Sequence, residues 1–234
     1  MNHFVAVVTI IAAYLIGSIN FAVIFTKKYN NVDVRDFGSG NAGTTNVLRV
    51  SGAKAGIATF ALDILKGAVA AGLGLLVFSL LWNGNCNELT ASSYRNPLFL
   101  PQYGAFTCGL ACMLGHCFPI FFGFRGGKAV ATSVGVFAVC CPLAITLGLV
   151  SFAISMFISK IVSLSSLIAS LVVVVTTAVL AFQYKISLNA NPIVITAITI
   201  ACGLVVILRH TENIKRIFKG TEKKFSINKE KNNG

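Results

Sequence analysis

Residues 37–49, FGSGNAGTTNVLR, place Gly38, Gly40 and Gly43 among Ser39, Asn41, Thr44, Thr45 and Asn46, with Arg49 closing the stretch. Glycine at this density allows backbone angles that side chains forbid, so successive amide N–H groups can turn toward one anion. The hydroxyls and amides add short donors, and the planar guanidinium of Arg49 matches phosphate oxygens. A second stretch, GHCFPIFFGFRGGKAVAT at 115–132, sets Gly126, Gly127 and Lys128 at the start of an apolar run. Glycines and a lysine at a helix start suit an anion, because free N–H groups and the helix dipole point outward there. A third, RHTENIKR, follows the last apolar run and carries Arg209, His210 and Asn213, the latter two three residues apart and so on one helical face. Read one at a time, each stretch has an alternative: a polar turn between helices for the first, and charges that only set orientation, Arg125 and Lys128, for the second.

Composition shows what must position these residues. The 234-residue chain is 56% hydrophobic and 11% charged, against about 25% charged in soluble domains, which makes it a membrane protein. A formal charge of +12 would suggest nucleic acid in a soluble protein. Here the basic residues sit in short segments between or after apolar runs, where they set orientation and meet anionic lipid heads or phosphorylated substrates, so no nucleic-acid partner is expected. Seven cysteines, mostly inside apolar runs and without paired spacing, read as reduced packing residues. Cys108, Cys112 and His116 recur every four residues but lack an apparent fourth ligand, so no metal and no cofactor is expected.

The apolar runs predict an all-α integral membrane protein of seven transmembrane helices in one domain. Residues 4–26 are uncharged, long enough to span, and not preceded by a basic region. Lys27, Lys28, Arg35, Arg49 and Lys54 follow, which puts the first glycine-rich loop in the cytoplasm and the N-terminus outside. The second span, about 55–82, is interrupted by Asp63 and Lys66, three apart on one face, read as an ion pair joining helices or as part of a functional interior. Residues 83–96 form an external loop, and the third span runs from about 98 to 122. Residues 129–159 carry no charge and exceed one untilted crossing, with Pro142 near the middle. A single crossing gives six spans and an external tail; a hairpin gives seven and a cytoplasmic tail, which the basic residues from Arg209 onward favour. The last spans are about 163–182 and 192–208, and residues from about 220 to 234 read as a flexible tail.

Polar chemistry thus gathers on the inner side, whereas a transporter would place polar groups on both sides or near the midplane. GSGNAGTTNVLR, LDILKG, GHCFPIFFGFRGGKAVAT, KIVSLSS and RHTENIKRIFKGTEKKF together resemble the motif set of the bacterial acyl-phosphate:glycerol-3-phosphate acyltransferases, the PlsY family, in the family's order and over nearly the whole chain. The resemblance implies a multi-pass enzyme of the bacterial inner membrane, its active site facing the cytoplasm. It would transfer a fatty acyl group from acyl phosphate to the sn-1 hydroxyl of glycerol 3-phosphate, giving lysophosphatidic acid and phosphate.

By motif position, Ser39, His210, Asn213 and Lys128 would be catalytic. Gly40, Asn41, Gly43, Thr45, Asn46, Arg49, Gly126, Gly127, Ser163, Ser166 and Arg209 would bind substrate. The chain departs from the usual pattern at Ala42, Thr44, Arg125, Ala129 and Thr211, none of which removes a phosphate-binding group. Two anionic substrates need several cations, which Arg49, Lys128 and Arg209 supply. Acyl phosphate is already activated, so orientation and charge stabilisation suffice and no protein nucleophile is required. A small transporter for an anionic phosphorylated solute is the competing reading.

Overall fold

The computed structural model describes residues 1–83, 97–184 and 190–225. The predicted outer loop 83–96, with Glu88 and Arg95, lies almost wholly outside them, as do most of the QYKISLNANP loop and residues 226–234.

Every regular element among the described residues is helical, as expected when a backbone in hydrocarbon must satisfy its own hydrogen bonds. The predicted first span is two helices, α1 (Asn2–Gly17) and α2 (Phe21–Asn30). Asn20 causes the break: its side chain accepts from Val23 N–H at 3.3 Å and starts α2 afresh. The interruption also frees the Ile19 carbonyl, which accepts from Lys66 Nζ at 2.8 Å.

Helix α3 (Thr44–Asn83) bends at Gly52, whose φ of 80° and ψ of −178° are open to glycine alone, and its apolar part begins there, close to the predicted boundary. Then follow α4 (Pro101–Cys117), α5 (Val130–Cys140), α6 (Pro142–Ser159), α7 (Val162–Tyr184), α8 (Pro192–Arg209) and the short α9 (Thr211–Phe218). Six helical stretches are long and apolar enough to cross a membrane, and α5 is a shorter apolar helix.

Close approach of backbones holds the bundle together, as in membrane proteins generally. A Cβ on Gly17 would stand 2.1 Å from the Cys112 carbonyl oxygen, and one on Gly135 1.8 Å from that of Ile64, so α1 meets α4 and α5 meets α3 at glycine. Residues 129–159 break at Cys141–Pro142, where proline starts α6. At 1.5 Å per residue α5 is about 16 Å long and α6 about 27 Å. Lys128, before α5, bonds to Asn213, and Lys160, after α6, accepts from Phe225 N–H at 2.6 Å. The run therefore leaves from and returns to one end of the bundle.

Gly220, at φ +68°, turns the chain back, and residues 221–225 dock on the α6–α7 turn through Glu222 and Phe225.

Candidate active site

Three segments converge at that end of the bundle. The first loop is shaped by Asn46, which is 1% exposed at the start of α3. Its amide nitrogen donates to the carbonyls of Val34 and Phe37, both at 2.9 Å, and its oxygen accepts from Ser39 N–H at 2.9 Å. Asn46, expected to bind substrate, shapes the loop with its side chain. Gly40 N–H donates to Phe37 and Gly43 N–H to Asn41, both at 3.0 Å. The N–H groups of Gly40 and Gly43 thus tighten turns rather than form an anion cradle. Ser39, Gly40 and Arg49 are exposed and Asn41, Gly43 and Thr45 half-buried.

In the second loop Gly126 N–H donates to Cys117 O at 3.2 Å and Gly127 N–H to His116 O at 3.1 Å. Arg209 donates to the carbonyls of the same two glycines, Nη2 to Gly126 O and Nε to Gly127 O, both at 3.0 Å, while its guanidinium lies 5.3 Å from the centre of the Phe118 ring. The expected N–H cradle of this glycine pair is likewise engaged within the protein. What the loop presents is Lys128, whose ammonium donates to Asn213 Oδ1.

The third segment is the α8–α9 junction. His210, 2% exposed, places Nδ1 2.8 Å from the Val206 carbonyl. A carbonyl only accepts, so Nδ1 carries the proton and Nε2 the free lone pair. Burial and the nearby Lys128 charge push the imidazole pKa down to about 4, so it is neutral at physiological pH. Burial likewise lowers the Lys128 pKa, to about 8, with Glu222 opposing and Arg216 and Arg209 adding to the shift.

Glu222, which the sequence reading passed over, ties the cluster together. Its Oε1 accepts from Ser163 Oγ at 2.7 Å and Asn213 Nδ2 at 2.5 Å, and its Oε2 from Arg216 Nε at 2.7 Å. Burial raises its pKa, but those donors outweigh burial and the net shift is downward. A lone acid just after a Gly-Thr turn in a basic segment was the available signal.

The structure thus joins Gly126, Gly127, Lys128, Ser163, Arg209, His210 and Asn213. Ser166 donates to Val162 O at 2.9 Å and faces an apolar cavity among α4 to α8, also lined by Phe137, Gly148, Val173, Gly203 and Val206. The first loop abuts this group through Arg35, whose Nη1 donates to Phe122 O at 2.6 Å, and through Ala42, whose carbonyl packs on Gly127. The side chains of Ser39, Thr45 and Arg49 bond to none of these residues. No group of three His, Cys, Asp or Glu side chains able to hold a metal occurs among the described residues.

Residues 7–220 match the family model for glycerol-3-phosphate acyltransferase. The chain belongs to the PlsY family of glycerol-3-phosphate acyltransferases. It is 39% identical over 218 residues to glycerol-3-phosphate acyltransferase 2 of Bacillus anthracis, covering 93% of this chain and 98% of the relative. It is 42% identical to the enzyme of a Thermoanaerobacter species, covering 94% and 95%. Among solved structures, the glycerol 3-phosphate form of PlsY, an integral membrane enzyme, superposes with a TM-score of 0.72 at 32% identity, covering 94% of this chain and 96% of that one. The lysophosphatidic acid form of PlsY gives 0.72 at 31%, covering 94% and 95%.

Proposed function

We propose that this protein acylates the sn-1 hydroxyl of glycerol 3-phosphate with acyl phosphate, releasing lysophosphatidic acid and inorganic phosphate, the first acylation of phospholipid synthesis. The observation that carries this reading is contiguity. Val206 lines the apolar cavity and also holds His210, so a chain in the cavity ends beside Lys128, Asn213 and His210. The cavity suits a fatty acyl chain, and the polar end suits two phosphorylated groups.

In this reading Lys128 and Arg209, with Arg49 from the first loop, offset the charge of the two anions. The glycerol oxygen attacks the carbonyl carbon, the carbon–oxygen bond to phosphate breaks, and the hydroxyl proton leaves with a phosphate oxygen. Neutral His210 accepts a hydrogen bond from the hydroxyl through Nε2 and orients it, since a pKa near 4 makes it a weak base. Asn213 and Ser163 reach the same anions when Glu222 yields its bonds, and Ser39 and Thr45 close over them from the first loop. Ser166 marks the polar rim of the cavity. The N–H groups of the first turn of α5 lack intrahelical acceptors and add to the anion field. Counting the short α5, the bundle places seven helices in the bacterial inner membrane, with N-terminus outside and basic C-terminus in the cytoplasm, where both substrates arrive.

Purified protein is to be given glycerol 3-phosphate with acyl phosphate, acyl-CoA or acyl carrier protein in parallel. Lysophosphatidate forms with acyl phosphate alone, and phosphate release needs both substrates. Product from acyl-CoA instead, or solute movement across sealed vesicles without acylation, overturns the reading.

A further inference from the structure

A buried acid, lysine and histidine lie together outside the cluster just described. Asp63, Lys66 and His116 have side chains 2%, 3% and 6% exposed. Lys66 Nζ lies 2.8 Å from Asp63 Oδ1, and His116 Nδ1 lies 3.5 Å from the same oxygen. Lys66 also donates to the Ile19 carbonyl and approaches the Phe21 ring, 5.5 Å from its centre, so the pair joins α3 to the α1–α2 break. That pinning needs only Asp63 and Lys66, since the lysine already neutralises the carboxylate.

The other edge of the His116 ring meets the second loop. A Cβ on Gly127 would stand 2.2 Å from His116 Nε2 and 2.7 Å from Ala42 O, and one on Gly126 2.0 Å from His116 O. The Gly127 N–H bonds to the His116 carbonyl, and Arg209 Nη2 bonds to Gly126 O on the far side of the same peptide unit. Gly127 is therefore seated on the imidazole, one residue before Lys128.

We propose that His116 is a positioning residue for acyl transfer: with Asp63 3.5 Å from one edge, its ring sets where Gly127 lies and hence where Lys128 meets Asn213. It touches no substrate and acts through the loop. The inference rests on the acyl-transfer reading above.

The test uses the full-length enzyme in detergent, with melting temperature recorded for each variant. His116→Ala lowers kcat/KM for glycerol 3-phosphate about tenfold, since small displacements of a binding group cost one to two orders of magnitude. His116→Gln, which keeps a donor for Asp63 and similar bulk, stays within about threefold of wild type. Gly127→Ala also costs about tenfold, and the double variant is no slower than Gly127→Ala alone, because both changes disturb one contact. Wild-type kcat/KM in His116→Ala, a glutamine variant as slow as the alanine one, or losses that multiply to about 100-fold would each overturn the proposal. Should His116→Ala not yield folded protein, His116→Gln against His116→Leu decides it: equal activity in the two overturns it. A wild type that forms no lysophosphatidate overturns acyl transfer and this inference together, whereas an active wild type with indifferent His116 variants overturns this inference alone.

Discussion

The loops 37–43 and 118–129 both carry glycines ahead of a helix, but Gly40 and the Gly126–Gly127 pair serve different ends. Gly38 and Gly40 adopt φ of +65° and +68°, so the first loop uses both for curvature, as the second uses Gly123 at +65°, while a Cβ on Gly38 would also fall 2.2 Å from Asn46 Oδ1. A Cβ on Gly40 would meet only the Arg35 carbonyl at 3.4 Å, an ordinary contact. Gly126 and Gly127 are buried with ordinary backbone angles, and a Cβ on either would fall within 2.2 Å of His116 atoms. At Gly126 and Gly127 the second loop uses glycine for contact. An exposed loop shaped by one asparagine can move with its substrate; a buried one held on both peptide edges keeps Lys128 in place. Preorganised charge in a partly desolvated site stabilises a transition state more than mobile charge at the surface.

That contrast can be broken or sharpened by experiment, beginning with the largest effect. Lys128→Ala is expected to lower kcat/KM for glycerol 3-phosphate at least about 100-fold, and exposed Arg49→Ala about tenfold, as befits a fixed against a mobile cation. Equal losses would erase the distinction. Asn46→Ala removes three hydrogen bonds and should destabilise the first loop by about 2–3 kcal/mol, read as faster hydrogen exchange over residues 34–46 with little change in 116–128. Gly127→Ala is expected to reduce activity about tenfold, and Gly40→Ala less than about threefold with a backbone cost of about 1 kcal/mol. A reversed order would mean that the first loop is the more constrained.

The smallest effect lies in the pH profile. Burial lowers the Lys128 pKa to about 8, and only the protonated amine attracts an anion, so kcat/KM should fall as pH rises through 8. Lys128→Arg, which cannot titrate there, should lose that limb. Bound anion raises the lysine pKa, so the kcat limb should lie higher than that of kcat/KM. His210, with its pKa lowered to about 4, adds no acid limb near 6.5. An acid limb there that vanishes in His210→Gln would make it the base instead.

Much of this was legible along the chain because apolar runs and glycine-plus-cation stretches are local signals. The helix boundaries near 83, 192 and 209 and the break at Pro142 follow from such patterns, as does the expectation that the segments carrying Lys128 and His210 share one membrane side, whereas a joint site that includes Ser163 was expected only from the family resemblance. The division of α1 from α2 was not legible: an asparagine in an apolar run reads as a tolerated polar residue until its side chain is seen to cap a new helix.

By itself the sequence determined that the chain is a helical membrane protein whose cations and glycines cluster between apolar segments, since hydrophobic length and charge placement need no partner to be read. Only the tertiary structure decided which polar atoms remain available. Asn46 and the four N–H groups of Gly40, Gly43, Gly126 and Gly127 are engaged within the protein, and Glu222 returns to bridge Ser163, Asn213 and Arg216. The physical reason is that hydrogen-bond partners far apart in the chain are chosen by packing, and a donor already satisfied by its own fold has little left to offer a ligand.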